Sequence, residues 1–152
     1  MHHSRAVGPA ETSERAGRVD RGGNDGRRID GNRVPVHTGR VQKLSLTALA
    51  RVQLEQAHAA GSGRSAKTVW GGHERVLRQT LIALTTGSEL AEHENPGEAT
   101  IQVLSGRVRL DAGGDQWEGR QGDLLLVPPT RHSLVCVEDA VILLSVAKVD
   151  RP

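Results

Sequence analysis

Hydrophobic and polar positions follow two different periods along this chain. Between residues 46 and 60, apolar residues recur every three or four positions, which predicts one amphipathic α-helix. Ser45 is a suitable N-cap for this helix, and Gly61 is a natural residue to end it. The apolar face of the helix is expected to consist of Leu46, Leu49, Ala50, Leu54 and Ala57.

After the linker over residues 61–65, the period changes to short apolar runs that are separated by Gly and Pro. Runs of this kind are typical of a β-sandwich or barrel. No helical period lies between them, so the alternating strands and helices of a parallel sheet are not expected. The predicted strands are Lys67–Trp70, Arg75–Thr85, Ala99–Leu104, Val108–Ala112, Asp115–Trp117, Asp123–Val127, Ser133–Val137 and Val141–Val146.

The 152 residues divide into three predicted segments. Residues 1–42 form a tail, 43–66 the helix and its linker, and 67–152 an all-β barrel domain. The tail is rich in Gly, Arg and polar residues without periodicity, so burial could not offset its ordering entropy and we expect disorder. Alternatively, residues 1–40 lie upstream of the native start, with Val41 at an alternative start codon.

Charge and composition restrict the class of partner. The formal net charge is +2, and its excess comes from residues 1–42, where eight arginines face five acidic residues. Since this tail has no aromatic residue and no recognition motif, we expect no specific nucleic-acid binding. No apolar run approaches the ~20 residues that span a bilayer, and no secretory signal is evident, so we expect a cytoplasmic protein without a membrane partner. The single cysteine, Cys136, cannot form an internal disulfide and is expected to be a buried, inert thiol.

Two histidine-bearing segments carry the most specific pattern. In the first, Gly87 is followed after five residues by His93, and Gly106 closes the segment. We expect a loop that presents the histidine, then a strand, then a turn at Ser105-Gly106. In the second, Gly122 is followed after five residues by Pro128, and His132 comes next.

These segments resemble the two motifs of the cupin family. The first family motif is Gly, five residues, His, one residue, His, three or four residues, Glu, six residues, Gly. The second is Gly, five residues, Pro, one residue, Gly, two residues, His. The resemblance covers residues 73–148, and with the helix the chain is similar to small single-domain bacterial cupins of the RmlC-like type. It implies a jelly-roll barrel, or double-stranded β-helix, and a homodimer with sheets packed across the interface.

The resemblance also implies a metal site that has lost ligands. In the family the metal is held by both histidines and the glutamate of the first motif and by the histidine of the second. His93 matches the first ligand, and His132 lies near the last ligand position, one residue early. Asn95 stands in place of the second histidine and Ala99 in place of the glutamate. A divalent Zn, Mn, Fe or Ni ion could be held by His93, His132 and Asn95, although catalytic sites generally keep three strong protein ligands.

Glu98 is the nearest substitute for the missing carboxylate. Neighbouring residues of a strand point to opposite faces, so Glu98 faces outward if Ala99, Ile101 and Val103 line the barrel interior. Only a local twist of the chain at Pro96-Gly97 would turn it inward. We therefore expect the metal site to be degenerate.

Three functions stay open from the sequence. The first is binding of a small ligand in a barrel pocket that contains His93, Asn95 and His132, where both imidazoles could hydrogen-bond. The second is a metal-dependent enzyme of the dioxygenase or isomerase type, and the third is a regulatory or structural dimer. Arg78 and Arg131 could bind a ligand carboxylate, although solvated arginines are commoner.

Overall fold

The computed structural model describes residues 39–94 and 97–149 of the chain. These residues form one α-helix and seven strands, and the strands among them pair in antiparallel fashion. The predicted all-β class with one N-terminal helix is confirmed. The elements are α1 (Leu46–Ala59), β1 (Arg64–Trp70), β2 (Leu77–Leu84), β3 (Glu89–His93), β4 (Gly97–Ala112), β5 (Asp115–Arg120), β6 (Leu124–Val127) and β7 (His132–Lys148).

The predicted helix is present, with a small change at its end. The Ala48 backbone N–H donates a hydrogen bond to Ser45 Oγ over 3.2 Å, so Ser45 is the N-cap. The helix ends at Ala59 with Ala60 as its C-cap, one residue before Gly61. Among the residues that the structure describes, no helix is long and apolar enough to cross a membrane.

Two long strands replace four of the predicted ones. The predicted strands 99–104 and 108–112 are one strand, β4, and the predicted strands 133–137 and 141–146 are one strand, β7. The expected turn at Ser105-Gly106 is wrong because the chain makes β-bulges there: its register on β7 shifts at Ser105, and Gly106 has φ +76°. Bulges bend a strand without ending it. We call this bend, where β4 and β7 turn together, the corner of the barrel.

The corner folds the hydrogen-bonded strands into two facing sheets. Sheet I contains β1, β2, the second half of β7, the first half of β4, and β6. Sheet II contains β3, the first half of β7, the second half of β4, and β5. One buried cluster takes side chains from both sheets, which makes their inner faces the interior of a jelly-roll barrel. Its members are Ile82, Leu84, Ile101, Val103, Val108, Leu110, Leu134, Cys136, Ala140 and Ile142.

The strand β3 was not predicted. Its sequence, from Glu89 to His93, contains one large apolar residue, Leu90, so it lacks the alternation that marks a strand. Pairing with β7 creates it, since Leu90 lies opposite Leu134. His93 therefore lies on a strand of sheet II rather than on a loop.

Two strands, β1 and β2, begin at residues other than the predicted ones, again because of pairing with neighbouring strands. β1 begins at Arg64, inside the predicted linker, because Arg64 pairs with Leu84 of β2. β2 begins at Leu77, two residues later than predicted. Partners on the neighbouring strand, rather than local composition, determine both ends.

Helix α1 covers part of the outer face of sheet I. Along β2, Ile82 and Leu84 belong to the barrel interior, whereas Leu81 and Ala83 pack against the helix. This strand is therefore apolar on both faces, which explains its continuous apolar sequence. The buried cluster between helix and sheet consists of Leu49, Ala57, Val69, Leu81, Ala83, Val141 and Leu143.

Candidate functional site

His93 and His132 are neighbours on adjacent strands. Their Cα positions are paired in the β3–β7 ladder, and their ring centroids lie 4.5 Å apart with an interplanar angle of 62°. This is an edge-to-face contact, a favourable geometry for aromatic rings. The structure thus brings together the two histidines that the sequence analysis selected.

The pair lies at the end of the barrel away from the corner. Both β4 and β7 double back at the corner, so the two ends of each strand return to the same end of the barrel. His132 begins β7 and is paired with Ala112, which ends β4. We call this end the mouth of the barrel.

The two imidazoles differ in exposure. His132 is 6% exposed and continues the inward-facing series of Leu134 and Cys136 on β7. His93 is exposed to solvent. The pair therefore connects the apolar interior with solvent, where a ligand would enter.

Backbone carbonyls set the tautomer of each neutral ring. Nδ1 of His93 lies 2.9 Å from the Ala91 carbonyl oxygen, and Nδ1 of His132 lies 2.9 Å from the Thr130 carbonyl oxygen. A carbonyl oxygen can only accept, so Nδ1 is the protonated nitrogen in both neutral rings. Nε2 of each ring then carries a lone pair that can accept a hydrogen bond or ligate a metal.

Other candidate ligands do not complete a metal site in the described residues. Ala99 pairs with Val127 and offers no donor atom. Glu98 is exposed, and the parity that places Ile101 and Val103 in the barrel core puts it on the outer face. Residues 39–94 and 97–149 contain no group of three or more His, Cys, Asp or Glu side chains placed to hold a metal. Asn95, the remaining candidate, lies outside the described residues.

The acidic residues beside His93 are engaged on the surface. Glu92 Oε1 accepts a hydrogen bond from Arg131 Nε at 2.8 Å, and Glu94 Oε1 lies 3.9 Å from Arg131 Nη1. The hydrogen bond to Glu92, together with the charge of Glu92, raises the pKa of Arg131 above its ordinary value. Arg131 is thus paired with acidic side chains at the solvent-exposed edge of the mouth, which we call the rim.

Arg78 has a different environment. It is partly buried on β2, and Nη2 makes a 3.5 Å hydrogen bond to the Gly72 carbonyl oxygen. Its Nε atom is buried without a hydrogen-bond partner among the described residues. A solvated Arg78 is the commoner expectation from sequence, but Arg78 shares its parity on β2 with the core residues Ile82 and Leu84, which indicates that it faces inward.

Cys136 is a structural residue of the barrel core. Its side chain is 1% exposed, and Sγ lies 3.3 and 3.1 Å from the carbonyl oxygens of Leu84 and Glu138, either of which can accept its one hydrogen. Burial raises the pKa of this thiol to about 11, with a smaller contribution from the charge of Asp139. The thiol therefore stays protonated at neutral pH, as expected of an inert cysteine.

Trp117 is less buried than a packing residue. Trp117, on β5, lies opposite Leu110 of β4, and its side chain is 49% exposed. It lines a cavity of about 390 Å³, mainly with leucines of β6. This position adds an aromatic surface at the open edge between β5 and β6.

Comparison with known families gives one match. Residues 80–146 match the model of the cupin domain. This range contains both histidines and most of the two facing sheets. No curated protein matches the sequence significantly.

Solved structures share the fold. A conserved protein of unknown function from Streptococcus pyogenes is 25% identical, with a TM-score of 0.55 over 60% of this chain and 80% of the other. A cupin superfamily protein from Desulfitobacterium hafniense is 16% identical, with a TM-score of 0.58 over 76% of this chain and 95% of the other. An RmlC-like cupin from Shewanella frigidimarina is 22% identical, with a TM-score of 0.52 over 60% and 81%.

Proposed function

Because residues 80–146 match the model of the cupin domain and the described strands form a jelly-roll barrel, we propose that the protein binds a small molecule in the mouth of this barrel. The contact between His93 and His132 carries this proposal. One ring is buried and the other exposed, and both neutral rings leave Nε2 free to accept a hydrogen bond. Polar groups that converge at the edge of an apolar interior are typical of small-molecule sites.

Apolar side chains would form the walls of this site. Leu90, Val127 and Leu144 are only partly buried and pack against the barrel core. Such walls would bind the apolar part of a ligand, while the imidazoles orient its polar group. The sequence prediction adds Asn95 to this pocket as a further donor and acceptor, a residue that lies outside the described ones.

The imidazole NMR signals test this proposal directly. We would titrate the protein with a fragment set of neutral, cationic and anionic compounds and follow the ring nitrogens of every histidine. A bound compound should shift the signals of both His93 and His132. His93→Ala and His132→Asn should each weaken its binding at least tenfold, whereas His58→Ala on α1 should not. If no compound shifts the two signals, the proposal is wrong.

A metal-dependent enzyme is the second candidate. The observation that favours it is the pair of Nδ1–carbonyl hydrogen bonds, because such contacts orient the histidine ligands of metal sites. The described residues supply two imidazoles where a catalytic Zn or Fe site generally keeps three protein ligands. The donor set of the described residues therefore does not fit a complete catalytic metal site.

Metal content separates the two candidates. Protein purified without a histidine tag would be examined by elemental analysis and titrated with Zn, Mn, Fe and Ni. The ligand-binding proposal predicts substoichiometric metal and weak binding. Tight stoichiometric metal that is lost in His93→Ala and His132→Asn would instead favour the enzyme.

The proposal includes a cytoplasmic homodimer. The single thiol, Cys136, is buried and unpaired, which suits a reducing compartment. Leu124 and Leu126 of β6 are 58% and 73% exposed, which is unusual for leucines that share a strand. A second copy of the chain is the partner that we propose for this surface.

A further inference from the structure

The position of Arg78 on β2 directs it toward the mouth of the barrel. The register of β2 on β7 is continuous from Leu77 to Leu84, so side chains alternate between the two faces without interruption. Ile82 and Leu84 belong to the barrel core. Thr80 and Arg78 therefore lie on the same inner face, progressively closer to the mouth.

Arg78 and His132 lie at the same level on opposite sheets. Arg78 is paired with Val146 of β7. His132 precedes Asp139, at the corner of β7, by seven residues, and Val146 follows Asp139 by seven. Since each residue of a strand rises about 3.3 Å, both positions are about 23 Å of strand from the corner. The arginine and the histidine pair thus come from the two facing sheets at one end of the barrel.

The guanidinium of Arg78 has unused donors. Among the described residues, its Nε is buried without a partner, and its hydrogen bond from Nη2 to the Gly72 carbonyl oxygen is 3.5 Å long. A buried donor without a partner is unfavourable, and hydrogen bonds to a charged acceptor are the strongest replacement. A planar guanidinium binds a carboxylate through two parallel hydrogen bonds.

Protein carboxylates near the mouth have other positions or partners. Glu92 and Glu94 contact Arg131 at the rim, Glu74 contacts Arg75, Asp111 contacts Arg109, and Glu98 is exposed on the outer face of β4. The acceptor for Arg78 would therefore come from a ligand. The histidine pair suits the opposite kind of group, since in the neutral form of each ring Nδ1 faces a carbonyl and Nε2 accepts a hydrogen bond.

We propose that the ligand of the barrel is a small hydroxycarboxylate with an apolar body. Its carboxylate binds Arg78 of sheet I, its hydroxyl donates a hydrogen bond to the His93–His132 pair of sheet II, and its apolar part contacts Leu90, Val127 and Leu144. This assignment rests on the proposed function, because it adds a ligand class to the same pocket.

Matched compounds test each half of the assignment. Mandelate, 3-phenyllactate and 2-hydroxyisocaproate would be compared with their amides, which lack the charge, and with the corresponding acids that lack the hydroxyl. Phenyl phosphate would represent the other common anion. At least one hydroxycarboxylate should bind tenfold more tightly than its amide and its deoxy analogue, and should shift the signals of both histidines. Tighter binding of phenyl phosphate would overturn the choice of a carboxylate.

Variants of the arginine complete the test. Arg78→Gln should weaken hydroxycarboxylate binding at least tenfold, and Arg78→Lys should restore part of it. Arg131→Gln removes the same charge at the rim and should leave binding unchanged. If Arg78→Gln fails to fold, two other measurements test whether Arg78 binds the carboxylate. One is the affinity of Arg78→Lys, and the other is the comparison of acids with amides on the natural chain.

The outcomes distinguish the inference from the proposed function. If amides or other neutral compounds bind as tightly as the acids and still shift both histidine signals, the hydroxycarboxylate assignment is wrong and the pocket stands. If no compound, charged or neutral, shifts those signals, the pocket itself is wrong.

Discussion

Asp139 joins three parts of the fold at the corner of the barrel. Its Oδ1 accepts hydrogen bonds from the Thr86 backbone N–H and from Thr86 Oγ1, over 2.8 and 2.9 Å. Its Oδ2 lies 2.7 Å from Nε2 of His58, near the C-terminal end of α1. The Thr86 backbone hydrogen bond is the largest cause that lowers the pKa of this carboxyl, followed by the hydroxyl of Thr86. His58 of α1 is thereby linked to the corner.

Asp139→Asn should lower the stability of the protein in a pH-dependent way. A carboxyl whose pKa is lower in the folded state stabilises the fold above its unfolded pKa, and this contribution disappears as pH falls through the folded value. The variant should be about 1 kcal/mol less stable at pH 7, a modest figure because the side chain is 38% exposed. The difference should shrink once pH falls below the ordinary carboxyl pKa of 3.8.

Urea unfolding at pH 7, 5 and 3 measures this effect. Asp115→Asn, at the exposed start of β5, is the matched control and should change stability by less than about 0.5 kcal/mol. A difference for Asp139→Asn that stays constant across the three pH values would show that its charge has no role.

Gly106 should tolerate no side chain. Its φ of +76° disfavours any L-residue, and a Cβ atom would overlap the carbonyl oxygen of Asp139. We expect Gly106→Ala to cost about 3 kcal/mol or more, from the left-handed backbone and the overlap together. Gly113→Ala also changes a residue with positive φ, but nothing lies within 4 Å of its Cβ, so it should cost only about 1–2 kcal/mol. Equal losses of melting temperature in the two variants would contradict this account.

Among the elements, α1 forms because of its local sequence but is held on the barrel by tertiary contacts. Its sequence carries its own period and N-cap, so it was predictable nearly to the residue. Its attachment to the barrel depends on tertiary contacts: Gln53 is 5% exposed and its Oε1 accepts a hydrogen bond from Ser65 Oγ of β1. The helix therefore acts as a cover for the outer face of sheet I.

Leu49→Ala should weaken the packing of α1 on sheet I and lower the stability of the protein. Leu49 is 7% exposed between α1 and sheet I, so the substitution should cost about 2–4 kcal/mol through lost burial and a cavity. Val52 lies on the same helix but is 47% exposed, and Val52→Ala should change stability by less than about 0.5 kcal/mol. Denaturant unfolding of both variants measures the difference. Similar losses would mean that the helix does not pack as the structure shows.

For the whole molecule, the proposed dimer depends on an uncharged strip of the surface. On the outer face of sheet I beside the helix, Leu126 is in register with Thr100, and Thr100 with Ser145. None of these three side chains is charged, so a two-fold axis that passes through them would bring like surfaces together without repulsion. A second copy of the chain therefore suits this strip better than a charged partner.

Leu126→Lys should shift the proposed dimer to monomer. A lysine at a two-fold interface would bury charge and face its own copy, which disfavours association. Sedimentation velocity at micromolar concentration measures the change. Gln116→Lys adds the same charge in the exposed β5 region and should leave the dimer intact. A monomeric natural chain would refute the dimer.

The candidate site was predictable in part. The spacing of Gly87, His93, Gly122 and His132 was enough to select both histidines, and the structure pairs them. Arg78 was not selected with them, because its neighbours in sequence do not show which end of the barrel it reaches. That depends on the corner, which forms only when β4 pairs with β7.

By itself, the sequence determined the helix, the all-β class and the histidines, since these depend on local period, capping and motif spacing. The tertiary structure alone decided that Ser105-Gly106 is a bulge within β4 and that residues 89–93 are a strand. It also decided that an arginine of sheet I reaches the level of the histidines of sheet II. These outcomes depend on pairing between residues far apart in the chain, because each strand obtains its hydrogen bonds from a distant partner and carries only part of the information itself.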